Sequence, residues 1–396
     1  MPDQGNNPWR VALCISRELG CKERLIGGLC RAAREAGDWD MLHVPPEPGA
    51  FRTLNWFKPE GVLFHGMRAF LPADFQCGAW WVGINDDSYA AASGCVLEDD
   101  LGAGQRMAEF ALARGFRRII YVGHRSKTVL SFSHRRLRGL AGALEEAGIR
   151  LLLLPENYDQ TANPATHAKL HRVAEWIRHG DIPLFIGAND LVAAGVLHFC
   201  RLQDWRVPER VAVAGFDNDD LLCTQLANPE LTSLDLNFDR IGYEAGLMLQ
   251  RLRRHPSPGG GVAAERRVVP AGDVIARQST VVVVSRNPGL QKAIQRLWRN
   301  PASVQRVADL MRDGGYAKST LERLCRNTFQ QTPAAMVRNE KLAAAKVLLR
   351  TTNLSVTAVA AKVGFSSPKN LWRAFKRATG SSPESYRAAA AAPRTL

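Results

Sequence analysis

From residue 10 to about 280 the chain alternates short apolar runs with longer stretches whose apolar positions recur every three or four residues. The runs at 11–15, 41–44, 61–64, 80–84, 119–122, 151–154, 184–186 and 211–214 are three to five residues long, and several are apolar at every position. Such runs suit parallel strands buried on both faces. Between them, 25–36, 101–114, 135–147, 167–179, 191–202 and 240–253 read as amphipathic helices, with Gly37 and Gly115 at two of their ends. This βα alternation predicts a parallel sheet with helices on both sides, and the stretch is long enough for two doubly wound lobes. His255-Pro-Ser-Pro-Gly-Gly-Gly261 reads as an exposed loop near a lobe crossover, after which 268–284 returns to β character. From about 288 the pattern becomes helical and strand-poor as far as 387. The expected class is α/β, two doubly wound parallel-sheet lobes followed by an all-α domain. The expected boundaries are a disordered 1–9, a two-lobed body over 10–284 with crossovers near 115, 235 and 262, the helical domain over 285–387, and a frayed tail, 388–396.

Composition narrows this. With 396 residues, 46% hydrophobic and 23% charged, the chain has the balance of a soluble protein of two or three domains. Its first residues are polar, and no run approaches the ~20 apolar residues that span a bilayer, so no membrane partner is expected and the cytoplasm is the default compartment. The eight cysteines form no C-x-x-C pair and no zinc spacing, and they read as reduced structural thiols. Charge is unevenly spread: residues 285–396 hold 20 of the 52 Lys and Arg but 5 of the 38 Asp and Glu, leaving a nearly neutral body with a basic helical domain. That asymmetry points to a polyanionic partner. Gly102-Ala-Gly104 looks like the start of a dinucleotide fingerprint, but Met107 stands where its third glycine belongs. No Walker motif, nucleophile elbow or metal triad is present either. The expectation is no enzyme, no cofactor and no metal.

The basic domain contains Ser355-Val-Thr-Ala-Val-Ala-Ala-Lys-Val-Gly-Phe-Ser-Ser-Pro-Lys-Asn-Leu-Trp-Arg-Ala-Phe375. Val356, Val359 and Ala360 form the stripe of a short helix, Gly364 turns the chain, and Ser366 or Ser367 can cap a second helix with Pro368 in its first turn. That second helix turns Leu371, Ala374 and Phe375 inward and leaves Lys369, Asn370, Arg373, Lys376 and Arg377 outward. A short helix, a glycine turn and a capped basic helix are what insertion into the ~12 Å major groove of double-stranded DNA requires. Residues 304–326 repeat the arrangement around Gly314-Gly315, and a long helix over 333–350 joins the two units. The segment 300–387 resembles the arabinose-operon-activator (AraC-type) family, through Ala360, Gly364-Phe365-Ser366, Leu371, Arg373, Phe375-Lys376, Thr379-Gly380, Ser382-Pro383 and Tyr386-Arg387. The resemblance implies a double helix-turn-helix domain whose base readers are Lys318, Ser319 and Thr320 in one recognition helix and Lys369, Asn370 and Arg373 in the other. Arg323, Arg326, Lys376 and Arg377 are then phosphate contacts, the alternative for each being a solvated face. Arg312-Asp-Gly-Gly315 makes the first unit about three residues longer than that family's pattern, and Ala317 stands where a capping serine is common.

The body resembles lactose-repressor-type sugar sensors. The matching phrases occur in that family's order: Val96-Leu-Glu-Asp-Asp-Leu-Gly-Ala-Gly104, Arg114-Gly-Phe-Arg-Arg-Ile-Ile120, Arg136-x-x-Gly139, Ile186-Gly-Ala-Asn-Asp190, Arg206-Val-Pro-Glu-Arg-Val-Ala-Val-Ala-Gly-Phe-Asp217 and Pro229-Glu-Leu-Thr232. The resemblance implies a sugar in the cleft between lobes, held by Arg136, Asn189, Asp190 and Asp217. Carboxylates and guanidinium forks suit sugar hydroxyls. The alternatives are capping or turn formation for Asp190 and Asp217, and a surface ion pair for Arg136. Arg17, Glu18 and His65 are candidates to line the first lobe's side. Trp80, Trp81 and Phe216 are candidates for an aromatic face or for the core. A sensor of this type with its DNA reader at the C-terminus, and only about nine residues before the first strand, resembles the xylose-operon-activator family. The implied function is a sugar-responsive transcription activator, with xylose or a related sugar as effector, RNA polymerase as a partner and a homodimeric state. A ligand-independent regulator whose body serves only dimerisation is the alternative, and a transport receptor fits poorly because it predicts a signal peptide and no basic tail.

Overall fold

The computed structural model describes residues 8–15, 22–65, 78–85, 92–123, 132–155, 164–255, 264–285 and 287–390. In chain order its elements are β1 (Trp9–Cys14), α1 (Lys22–Ala36), β2 (Trp39–His43), α2 (Ala50–Phe57), β3 (Gly61–Phe64), β4 (Trp80–Ile84) and β5 (Gly94–Glu98). There follow α3 (Asp100–Ala113), β6 (Ile119–Val122), α4 (Phe132–Glu146), β7 (Leu152–Leu154), α5 (Pro164–Arg178), β8 (Leu184–Gly187), α6 (Asp190–Leu202), β9 (Ala212–Phe216), β10 (Thr232–Leu234), α7 (Phe238–Leu252), β11 (Glu265–Val269) and β12 (Val274–Ile275). The last part is helical: α8 (Pro288–Arg299), α9 (Val307–Gly314), α10 (Lys318–Phe329), α11 (Pro333–Thr351), α12 (Val356–Lys362), α13 (Pro368–Thr379) and α14 (Pro383–Ala390).

The chain divides into two units, 1–99 with 236–272, and 100–235 with 273–396. The first contains a six-stranded sheet in the order β11-β5-β4-β3-β1-β2, parallel throughout. The second contains a six-stranded sheet ordered β12-β10-β9-β8-β6-β7, parallel except for the edge pairing of β12 with β10. Every residue of β3, β4, β6, β8 and β9 is buried, as strands covered by helices on both faces must be. The second unit also holds α8–α14.

The chain passes between units at 99–100, 235–236 and 272–273. Two of these differ from the expected crossovers near 115 and 262. The first lies earlier because α3 already packs on α4 in the second unit. The last lies later because β11, beyond the Pro/Gly-rich stretch, still pairs with β5 in the first sheet. The β character expected over 268–284 is confined to the end of β11 and to β12, and a short 3-10 turn follows at Gln278–Thr280.

Helices α3 and α4 touch backbone to backbone. A Cβ on Gly104 would sit 2.1 Å from the Arg136 carbonyl oxygen, and one on Gly139 would sit 2.0 Å from that of Leu101. Gly104, half of the apparent dinucleotide motif, is thus a packing glycine, and the close approach sets the height of Arg136 along α4. Gly139→Ala should lower stability by about 1–3 kcal/mol or more in urea denaturation, because backbone must move to admit the methyl. Gly142→Ala, on the same helix with nothing within 4 Å, should leave stability unchanged or raise it by up to ~1 kcal/mol.

Candidate functional site

Arg136, 2% exposed, is the hub of a buried polar cluster in the second unit. Its Nε donates to Asp100 Oδ1 at 2.9 Å, and its Nη1 donates to the Ala188 carbonyl at 2.7 Å and to Asp217 Oδ1 at 3.2 Å. The guanidinium carbon lies 4.7 Å from the centre of the Phe132 ring and 5.2 Å from that of Phe216. Ala188 follows β8 and Asp217 follows β9, so the cluster sits at the carboxyl edge of the sheet, where doubly wound folds present ligands. Asp100, the first residue of α3, is held by the helix N-terminus and also accepts from Arg135 Nε at 2.7 Å. Asp217 and Asn218, at φ 106° and 54°, occupy the left-handed region that turns the chain off β9.

Asn189 caps α6, its Oδ1 accepting from the Val192 N–H at 2.9 Å. Asp190 beside it is fully buried, and its Oδ2 accepts from the Asp219 N–H at 2.9 Å and from the Cys223 thiol at 3.2 Å. Burial, and then the charge of Asp217, push the Asp190 carboxyl up to about 8. Asp217 is raised to about 6 by burial, against the pull of the Arg136 cation. Asp217 keeps 22% of its side chain exposed. Of the expected sugar ligands, Arg136 and Asp217 are therefore brought together, while Asn189 and Asp190 are tied to the backbone around α6 and β9.

His65, at the end of β3, lies in the first unit, and Arg17 and Glu18 lie outside the described residues. Trp80, Trp81 and Phe216 are buried in the two sheets, although Phe216 also lies against the Arg136 guanidinium. Asp100 and Arg135 were not singled out in the sequence. An acid opening a helix was visible, but its partner stands 36 positions away.

In the helical part, Leu371 and Phe375 anchor α13 while Lys369, Asn370, Arg373, Lys376 and Arg377 are exposed. The helix begins cleanly because Ser367 Oγ accepts from the Asn370 N–H at 3.2 Å and Pro368 needs no partner there. Asn370 Nδ2 donates to Ser366 Oγ, and Lys376 lies over the exposed Trp372 ring at 4.9 Å. Trp372 is a surface group of this helix that sequence reasoning passed over. In α10, Lys318, Ser319, Arg323 and Arg326 are exposed, Thr320 is half-buried, and Leu321, Cys325 and Phe329 are buried. Ala317 opens α10 with no side-chain cap, after Gly315 has closed α9 at φ 70°. Between these units, α11 is capped by Thr332, and the buried Lys341 donates to the Gly364 carbonyl at 2.6 Å, joining it to the turn before α13.

The helix α11 is also fastened to the sheet-bearing part of its unit. Glu340 pairs with Arg114 at 3.0 Å, Lys346 with Asp273 at 2.7 Å, and Arg350 with the fully buried Asp235. Arg114 further stacks over Trp298 of α8 at 4.2 Å. Asp235 and Asp273, joined by a 3.0 Å backbone bond, are the residues at which the chain leaves and re-enters the unit.

Two families match within the chain: one described as a periplasmic binding protein-like domain over 108–280, and one described as a helix-turn-helix domain over 310–389. The chain thus carries a stretch similar to periplasmic binding protein-like domains, followed by one similar to helix-turn-helix domains. Its sequence is 28% identical over 236 residues to the xylose operon regulatory protein of Escherichia coli (strain K12), which covers 59% of this chain and 56% of that one. It is 25% identical over 202 residues to the xylose operon regulatory protein of Haemophilus influenzae, covering 51% of each. The chain spans just over half the length of these curated relatives. The solved structure of a xylose-binding transcription activator has the same fold, with a TM-score of 0.55, 21% identity, and coverage of 96% of this chain and 97% of that one. Among the described residues no helix is long and apolar enough to cross a membrane.

The Asp190 carboxyl has a pH signature. Because its folded pKa lies above the ordinary carboxylate value, its contribution to stability is complete below about pH 4 and is lost as pH rises towards about 8. Asp190→Asn, neutral throughout, should flatten the fall in denaturation midpoint over that interval, leaving the smaller slope that Asp217 contributes up to about pH 6.

Proposed function

We propose that the protein is a sugar-responsive, DNA-binding transcription regulator, an activator of an operon for xylose or a related sugar. It works in the cytoplasm as a homodimer that engages RNA polymerase, and it catalyses no reaction. The observation that carries this reading is the Arg136–Asp217 pair at the carboxyl edge of a parallel sheet, in the same chain as two basic helix-turn-helix units. The name of the curated relatives supports the choice of xylose.

The chemistry is that of hydroxyl recognition. Arg136 is held by Asp100 and by the Ala188 carbonyl, so its fork is fixed before a ligand arrives. Asp217 keeps acceptor surface for sugar O–H groups, and Asn189 and Asp190 fix the α6 end of the site. On the DNA side, Lys318, Ser319, Thr320, Lys369, Asn370 and Arg373 read bases, while Arg323, Arg326, Lys376 and Arg377 contact phosphates. Two such helices on one rigid connector reach successive major-groove turns ~34 Å apart. The ion pairs of α11 with Asp235 and Asp273 suggest the route between the sites, since any shift of the crossover strands moves the connector helix. A full switch from 1:99 to 99:1 needs a sugar that prefers one state by ~5.5 kcal/mol.

The test is DNA affinity of the full chain at fixed salt, with and without each of a panel of pentoses and hexoses. At least one sugar should change the affinity, and Arg136→Ala should abolish that change while sugar-free binding persists at a temperature below the variant's lowered thermal midpoint, which shows that the loss is not unfolding. Arg373→Ala should cost ~1–3 kcal/mol of specific binding. A sugar response that survives Arg136→Ala, or none to any sugar, favours the ligand-independent alternative.

A further inference from the structure

The opposite edge of the second sheet carries a second feature. A cavity of about 1060 Å³ opens where the loops before β6, β7 and β8 meet the ends of α10 and α8. It is lined by Arg117, Arg118, Arg150 and Arg172, with Asp181 as the one acidic residue, and that charge is already matched by Arg118 at 3.0 Å. Arg118 and Arg172 each lie against the ring of Trp176, at 5.2 and 5.9 Å from its centre, so one aromatic side chain helps to place both guanidinium groups at the cavity. Arg117 donates to the Thr328 carbonyl at the end of α10, so the wall on that side belongs to the first recognition helix. Among the described residues neither Arg150 nor Arg172 has a carboxylate partner.

With Arg118 paired to Asp181, three like charges remain unmatched in one concavity and repel one another, a cost that an entering anion relieves. Arginine forks match phosphate oxygens in pairs, and a cavity of this size suits a small organic ligand. A DNA duplex is far too wide to enter it. We propose that this cavity is a second effector site, for a small polyphosphorylated anion such as a sugar bisphosphate or a nucleoside di- or triphosphate. An occupant touches both the sheet-bearing part and α10, so it stiffens the seat of the first helix-turn-helix unit. The site is separate from the sugar reading and does not depend on it.

Calorimetry on the full chain, with inorganic tripolyphosphate as the probe and a hexose bisphosphate and ADP in parallel arms, tests this. Saturable one-to-one binding is expected, weakened at least tenfold in the Arg150→Gln/Arg172→Gln double variant. Recovery in the Arg150→Lys/Arg172→Lys pair should be partial, because charge returns without the fork. The better of the two organic ligands identifies the source of the phosphate. A thermal midpoint like the parent's shows the double variant folded, as expected for two exposed side chains. Arg373→Gln should leave tripolyphosphate binding within twofold. Three results overturn the proposal: no saturable binding, binding lost in Arg373→Gln instead, or a double variant that keeps phosphate binding and only loses affinity for DNA.

Discussion

A guanidinium that is 2% exposed stays charged in the interior only if anions and carbonyls converge on it, and Arg136 imposes that demand on its whole unit. Asp100 must come from the start of α3, Ala188 from the end of β8 and Asp217 from the end of β9, each within 3.2 Å. Three separate stretches of chain are thereby brought to one point. The glycine contacts between α3 and α4 supply the closeness this requires, since a methyl group at Gly104 or Gly139 would push Arg136 away from Asp100. Losing one partner of such a cluster leaves an uncompensated buried charge, a cost of about 3–5 kcal/mol. Packing and the proposed sugar recognition therefore rest on the same side chain.

Much of this was legible in the sequence because its signals are local. Fully apolar runs marked β3, β4, β6, β8 and β9, and Ser367-Pro368 marked where α13 begins. What escaped was set by distant partners. β10 is only three residues long and β5 runs from Gly94 to Glu98 without alternation, and they become strands because β4, β9, β11 and β12 offer them edges. The antiparallel setting of β12 has no local signature at all. The same holds for the site: Arg136 and Asp217 stood out through family resemblance, whereas Asp100 is recognised only once α3 lies on α4. Asp235 and Asp273 gave no sign of their role, because their partners Arg350 and Lys346 are on a helix far along the chain.

The connector helix α11 emerges as more than a spacer. Its buried Lys341 holds the turn of the second helix-turn-helix unit, while Glu340, Lys346 and Arg350 hold the sheet-bearing part. Of these, Glu340 is shielded enough that burial raises its pKa despite the Arg114 cation beside it. A charge pair in that setting is geometrically exacting, so it fixes the orientation of α11 more firmly than an apolar contact would.

The unequal starts of α10 and α13 bear on the DNA-binding role proposed for them. A serine cap is worth about 1 kcal/mol over alanine, so the first turn of α10, behind Ala317, opens about five times more readily than that of α13, behind Ser367. A reader of this kind meets DNA with one half already shaped and the other still settling. In the proposed DNA-binding role, encounter would then begin at the half-site of α13, and the time spent on a trial sequence would depend on whether α10 completes its first turn there. Discrimination between a true operator and a near match would in that case be partly kinetic, through dwell time, with the alanine in place of a serine as its physical origin.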